Sequence, residues 1–279
     1  MSGAPLRIRA LRVAFRTVGT VAPGVAARWA ETLFCTPPHH EVAPADEEFV
    51  ATGSRFEVQC AGQRLAAWTW GKGPTILLAH GWGSRAGRFR ELATTLVDEG
   101  FRVVAHDAPA HGRSTGRFAT LPEFARAIRA VADHVGDIHG VLGHSLGGAA
   151  ACIAVRDGLL APRLVIAASP ADVQRYSRDF GDYLRIPLPT RQAMQRNLEA
   201  RLGARLEDLH IPTFAPGILV PTLVIHDRED GEVPFSHAEA LARAFPHARL
   251  IPTQGLGHRA VLRDPQVVRE VIAFLRDGA

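Results

Sequence analysis

Val141-Leu142-Gly143-His144-Ser145-Leu146-Gly147-Gly148 reads as a short apolar strand running straight into a helix, with a serine at the corner. Gly143, Ser145 and Gly147 stand in the spacing G-x-S-x-G. A strand-to-helix turn this tight holds the serine in a strained backbone conformation and lifts its hydroxyl clear of the sheet. Strand and helix backbones pass closely two residues to either side, so those positions must be small. The helix, from Leu146 to about Arg156, aims its unpaired first N–H groups at the same point. A glycine-rich helix start with a solvated serine would carry the same letters. The rest of the chain decides between the two.

Working outward, strands are expected at 56–60, 65–70, 75–80, 101–105, 163–168, 222–226 and 248–251, the first two joined by a turn at Ala61-Gly62. Helices are expected at 88–99, 122–135, 236–245 and 265–276. Strands alternating with helices imply an α/β fold, a mostly parallel sheet covered by helices on both faces. The alternation stops after residue 170 and resumes near 217. Two helical patterns fill the gap, about 171–185 and 189–201, divided by Pro187 and Pro189. The segment 170–217 therefore reads as a small helical cap inserted into a domain spanning 46–279.

Four further motifs lie at the C-terminal ends of expected strands, where open α/β sheets bind ligands. His80-Gly81-Trp82-Gly83 follows the third strand. Asp107-Ala108-Pro109-Ala110-His111-Gly112-Arg113-Ser114 follows the fourth, Pro221-Thr222-Leu223-Val224-Ile225-His226-Asp227-Arg228-Glu229-Asp230-Gly231-Glu232-Val233-Pro234 contains the seventh, and Gly255-Leu256-Gly257-His258 follows the last. With the serine corner, these resemble the α/β-hydrolase superfamily over roughly residues 55–277, and within it serine esterases and lipases of monoacylglycerol-lipase or serine-aminopeptidase type.

The resemblance implies a Ser-His-Asp triad in the chain order Ser, acid, His. Ser145 is its nucleophile and His258, in its glycine loop, the base. Alignment on Val233-Pro234 makes Asp230 the acid, with Asp227, Glu229 and Asp172 as alternatives. Asp227 stands where relatives carry glycine. The resemblance also implies an oxyanion hole made by the backbone N–H groups of Trp82 and Leu146. His80, Asp107, His111 and Ser114 are read as loop-shaping residues. Ala110 departs from the family's usual glycine.

A serine nucleophile argues against haloalkane dehalogenase or epoxide hydrolase chemistry, for which relatives use aspartate. Hydrolysis of a small-molecule carboxylic ester through an acyl-serine is the leading expectation. Serine aminopeptidase or thioesterase activity, acyl transfer, and a non-catalytic binder are the alternatives. The triad and oxyanion hole require no metal and no organic cofactor.

Residues 1–45 stand apart. On a helix, Leu11, Phe15 and Val18 share one face and Arg9, Arg12 and Arg16 another. A second helical pattern at 25–34 puts Val25, Trp29 and Leu33 in line, and Pro37, Pro38 and Pro44 mark a linker. Two helices docked on the catalytic domain are the plainer reading. A basic amphipathic helix of this kind also suits peripheral contact with an anionic membrane surface. The cap carries Arg175, Arg178, Arg185, Arg191, Arg196, Arg201 and Arg205, read as a solvated face, with anion attraction as the sharper alternative.

The 279 residues are ample for a sizeable core. A formal net charge of +4, with no basic run interleaved with aromatics, gives nucleic-acid binding no support. Cys35, Cys60 and Cys152 are far apart and lack C-x-x-C spacing. That pattern fits neither a disulfide framework nor a zinc site and suits a reducing cytoplasm. Oligomeric state leaves no mark in the sequence.

Overall fold

In the computed structural model, residues 6–276 are described and form two compact units. Residues 1–5 of the expected N-terminal segment, and 277–279, lie outside the described residues.

The larger unit comprises 37–171 and 211–279. It begins with a helix that the sequence hid, α1 and α2 belonging to the other unit: α3 covers Pro44–Thr52. Pro44, read as part of a linker, occupies the first helical turn, where a missing N–H costs nothing. The helix is held by Asp46, buried and bonded to Arg90 at 2.6 Å, and by Phe49 stacked on Trp70.

Eight strands follow: β1 (Ser54–Cys60), β2 (Gln63–Trp70), β3 (Thr75–Ala79), β4 (Arg102–His106), β5 (Gly140–His144), β6 (Leu164–Ala167), β7 (Thr222–Asp227) and β8 (Ala248–Thr253). They form one sheet in the order β1-β2-β4-β3-β5-β6-β7-β8. The β1–β2 and β2–β4 pairs are antiparallel and the other five parallel. The expected hairpin turn is present, with Ala61 and Gly62 both at positive φ as a two-residue turn requires.

Every residue of β3, β6 and β7 is buried, which is why these strands centre on the apolar runs Ile76–Ala79, Leu164–Ala167 and Leu223–Ile225. On one face Ile76, Leu78 and Val103 pack with Leu92 and Leu96 of α4 (Arg90–Asp98) and with Val271 and Leu275 of α12 (Pro265–Arg276). On the other lie α5 (Leu121–Val135), α6 (Leu146–Arg156) and α10 (Ser236–Ala244). The short turns α9 (Ile211–Phe214) and α11 (Gly257–Ala260) complete the unit. Where the insertion leaves and returns, the N–H of Ile211 donates to the carbonyl of Ala171 at 3.0 Å.

The smaller unit joins the N-terminal residues up to Thr36 with 172–210. It contains α1 (Leu6–Val21), α2 (Pro23–Cys35), α7 (Gln174–Tyr183) and α8 (Leu188–Leu202). Phe15 of α1 is fully buried and stacks on Trp29 at 4.3 Å between ring centroids, as its expected face required. For α2 the expected face is corrected. Val25 is 52% and Leu33 36% exposed, whereas Ala26, Ala27, Ala30 and Cys35 are buried. Alanines let α2 approach α8 closely, so the smallest side chains face inward.

The cap arginines are largely spent inside this unit. Arg175 pairs with Asp179, Arg178 with Asp172, Arg191 with Asp182, and Arg205 with Glu207. Arg201 reaches Glu31, a buried carboxylate, at 2.6 Å. Arg185 and Arg196 are exposed.

Candidate active site

At the end of β5, Ser145 adopts φ 54° and ψ −126°, a conformation that L-residues rarely occupy and that costs about 1–3 kcal/mol. Its N–H donates to Ala167 O at 2.8 Å, and α6 starts at the next residue. The flanking glycines are dictated by contact. A Cβ on Gly143 would lie 2.4 Å from Gly147 O, and one on Gly147 would lie 2.2 Å from Ala79 O.

The loop after β3 comes to the same point. A Cβ on Gly81 would meet Ser145 Cβ at 2.8 Å and Oγ at 3.3 Å, so the peptide leading to Trp82 runs beside the serine. Among the described residues, the N–H groups of Trp82 and Leu146 donate to no protein acceptor. Two donors left open beside a strained serine are free to donate to a partner oxygen, and such donors stabilise negative charge best.

Two imidazoles tie this loop to the one after β4. His80 donates Nδ1–H to Gly81 O at 2.7 Å and accepts the N–H of Ala108 on Nε2 at 2.9 Å. His111 donates Nδ1–H to Pro109 O at 2.8 Å and accepts the N–H of Gly83 on Nε2 at 3.0 Å. Each bridge requires a neutral ring with a lone pair on Nε2. Burial favours that state, driving the pKa of His80 well below the usual imidazole value and that of His111 down to about 4.

Asp107 accepts the N–H groups of Ala86 and Arg113, while Ser114 Oγ donates to Asp107 O at 2.6 Å. Asp107, His111 and Ser114 thus shape the loop. Ala110, the departure from glycine, sits at φ 61°, in the left-handed region that glycine prefers.

On the far side of β5, Asp230 and His258 are both buried and joined by a 2.8 Å bond from His258 Nδ1–H to Asp230 Oδ2. Asp230 Oδ1 accepts the N–H groups of Glu232 and Val233, both at 2.8 Å. His226 Nε2 lies 3.3 Å from Oδ2 and donates to Val233 O at 2.8 Å. Burial alone would raise the Asp230 pKa. Donors from His226, His258, Val233 and Glu232 outweigh it and hold the carboxyl well below its ordinary range.

The alternative acids are engaged elsewhere. Asp227 accepts from Thr253 Oγ1, Leu256 N and Glu229 N, bracing the loop that carries His258. Glu229 bonds Gln254, and Asp172 bonds Arg178 and the N–H of Arg175.

His144, the residue before the serine, donates Nε2–H to the carbonyl of His258 at 2.8 Å, and the two rings lie 4.9 Å apart. Among the described residues no hydrogen bond joins the Ser145 hydroxyl to His258; such contacts commonly tighten only with substrate. Sequence reasoning missed both His144 and His226. His144 was a variable letter inside a motif and His226 the last apolar-looking step of a strand, and neither has a partner that spacing reveals. No group of three His, Cys, Asp or Glu side chains among the described residues is arranged to hold a metal ion.

The strand order, the serine at the β5–α6 corner and the acid and histidine after β7 and β8 define an α/β-hydrolase. More narrowly, the family described as "Serine aminopeptidase, S33" matches residues 73–269, and the chain belongs to it. It is similar to the monoglyceride lipase homolog of Monkeypox virus, 30% identical over 164 residues, covering 56% of this chain and 52% of the viral protein. The chain therefore spans about half the length of that relative. Its likeness to the pimeloyl-[acyl-carrier protein] methyl ester esterase of Nitrosomonas europaea is 25% over 242 residues, covering 71% of this chain and 94% of that protein. Among solved structures, an esterase from Exiguobacterium antarcticum superposes with a TM-score of 0.64 at 20% identity, over 80% of this chain and 100% of the esterase. The chain is an esterase- and lipase-like member of the superfamily.

Proposed function

We propose that this protein is a serine hydrolase that cleaves a small carboxylic ester through an acyl-serine intermediate. Ser145 Oγ attacks the ester carbonyl while His258 Nε2 takes its proton, and Asp230 fixes the imidazole tautomer through Nδ1–H. The N–H groups of Trp82 and Leu146 hold the oxygen of the tetrahedral intermediate. His258 then protonates the departing alcohol, and a water molecule, activated by the same base, releases the acid. Written this way, the chemistry uses no metal or organic cofactor.

The observation that carries this reading is a strained serine flanked by two open N–H donors, in the same unit as a buried Asp230–His258 pair. An ester is favoured by the names of the viral and Nitrosomonas relatives. An amide is the second reading, favoured by the family's aminopeptidase description. Three widely spaced cysteines without C-x-x-C spacing favour a reducing, cytoplasmic setting.

The test is hydrolysis of p-nitrophenyl esters from acetyl to dodecanoyl by the wild type and Ser145→Ala, with aminoacyl p-nitroanilides in parallel. We expect ester turnover in the wild type and a loss on the order of 10⁶ in kcat for the variant. Faster anilide than ester turnover selects the peptidase reading. A folded wild type inactive on every ester overturns the proposal.

A further inference from the structure

The sequence pattern of α1 marks Leu11, Phe15 and Val18 as its apolar face, but that face is consumed within the protein. Phe15 is fully buried against Trp29, and Thr190 Oγ1 bonds the carbonyl of Gly19. Arg12, on the expected basic face, donates Nε–H to Tyr183 O at 2.8 Å and lies over the Tyr183 ring.

The opposite side of α1 is different in kind. Leu6, Val13 and Val21 are 81%, 65% and 82% exposed. They lie about two turns apart and form one outward stripe, with the exposed Ala10 and Thr17 between them. Arg9 and Arg16 border it on one side and Arg7 on the other, all exposed. Helix α1 contains no acidic residue, and no carboxylate among the described residues pairs with these three arginines. Helix α2 adds an exposed Val25 and Arg28.

We infer that this second face of α1 is a docking surface for an anionic lipid bilayer, on which the helix lies in the plane of the headgroups. An apolar stripe bordered by arginines buries its aliphatic chains among acyl chains while the guanidinium groups meet lipid phosphates. Charge selects the occupant. A second copy of the same face would bring arginines against arginines, whereas an anionic leaflet neutralises them. The contact is peripheral: no helix among the described residues is long and apolar enough to cross a membrane. The inference does not depend on the reaction proposed above.

Co-sedimentation of the full chain with vesicles tests it. Phosphatidylglycerol/phosphatidylcholine vesicles should pellet the wild type at low salt, pure phosphatidylcholine should not, and 0.5 M salt should release it. Removal of two arginines in Arg9→Gln/Arg16→Gln should weaken anionic binding by about fivefold per charge, roughly 30-fold together. Val13→Asp/Val21→Asp should weaken it at least as much, while circular dichroism and ester turnover stay those of the wild type. Wild type that ignores anionic vesicles, or variants that bind them as tightly as the wild type does, overturns the inference. A wild-type dimer that Val13→Asp/Val21→Asp converts to monomer also overturns it, because the face would then be a self-association surface.

Discussion

The two units of this protein distribute polar and apolar residues in opposite ways. In the sheet unit the carboxylates of the site are buried and partnered: Asp107 and Asp227 accept five hydrogen bonds from backbone N–H groups and a hydroxyl, and Asp230 accepts two backbone N–H groups and faces the imidazoles of His226 and His258. In the helical unit, aliphatic side chains stand in solvent and the packed interface is alanine. Seven of the ten large apolar side chains exposed among the described residues belong to it, although it is much the smaller unit. Buried polar networks are unforgiving of substitution, since each lost partner strands another group. Exposed aliphatic chains tolerate change in stability terms, since their replacement removes little packing.

The largest expected effect separates two carboxylates within the sheet unit. Asp230→Asn should cost about 10⁴ in kcat on a p-nitrophenyl ester while leaving the fold intact, by loss of the required tautomer. Asp227→Asn, which touches the loop and not His258, should stay within about tenfold in kcat and lower stability instead. Equal kinetic effects would erase the distinction between the pair and its brace.

Acid should act mainly on the sheet unit. Burial lowers the pKa of His106, His111 and His144 to about 4, so below the ordinary value of about 6.5 the unfolded chain binds protons that the folded one refuses. Their contribution to stability is complete above about pH 6.5 and is lost as the pH falls towards 4. The melting temperature should drop steeply across that window. His106→Leu removes one such proton and should flatten the slope by up to about 1.4 kcal/mol per pH unit. An unchanged slope would show that His106 is charged or solvated in the fold.

In the helical unit, Ala30→Leu should cost about 1–3 kcal/mol, read as a lower urea midpoint, because α2 has no room for the added carbons. A neutral result would mean that the alanine interface is not close-packed. The smallest expected effect is a gain. Ala110→Gly relieves a left-handed alanine and should raise stability by about 1 kcal/mol, or roughly 2–4 °C in Tm.

These contrasts also explain what the sequence made legible. The parallel strands β3, β6 and β7 are buried on both faces, so their places along the chain were written in largely apolar runs. The positions of Ser145, Asp230 and His258 were marked by glycines and by Val233-Pro234, local signals of local backbone geometry. Helix α3 was hidden because proline opens helices as readily as it breaks them. The buried side of α2 was hidden because counting aliphatic residues overlooks alanine. His144 and His226 were hidden because their roles come from partners on other elements, and no local pattern encodes a tertiary partner.

The union of the N-terminal helices with residues 172–210 sets an order of events during synthesis. Glu31 and Arg201 lie 170 positions apart, and Thr190 and Gly19 lie 171 apart. Helices α1 and α2 emerge from the ribosome before the surface they pack on, which is made only after six of the eight strands. At roughly 5–20 residues per second, they wait about 10–30 s with Phe15 and the alanine face of α2 uncovered. These early helices are among the last elements to finish folding. During that interval its long loop must close against a chain whose sheet is still lacking β7 and β8.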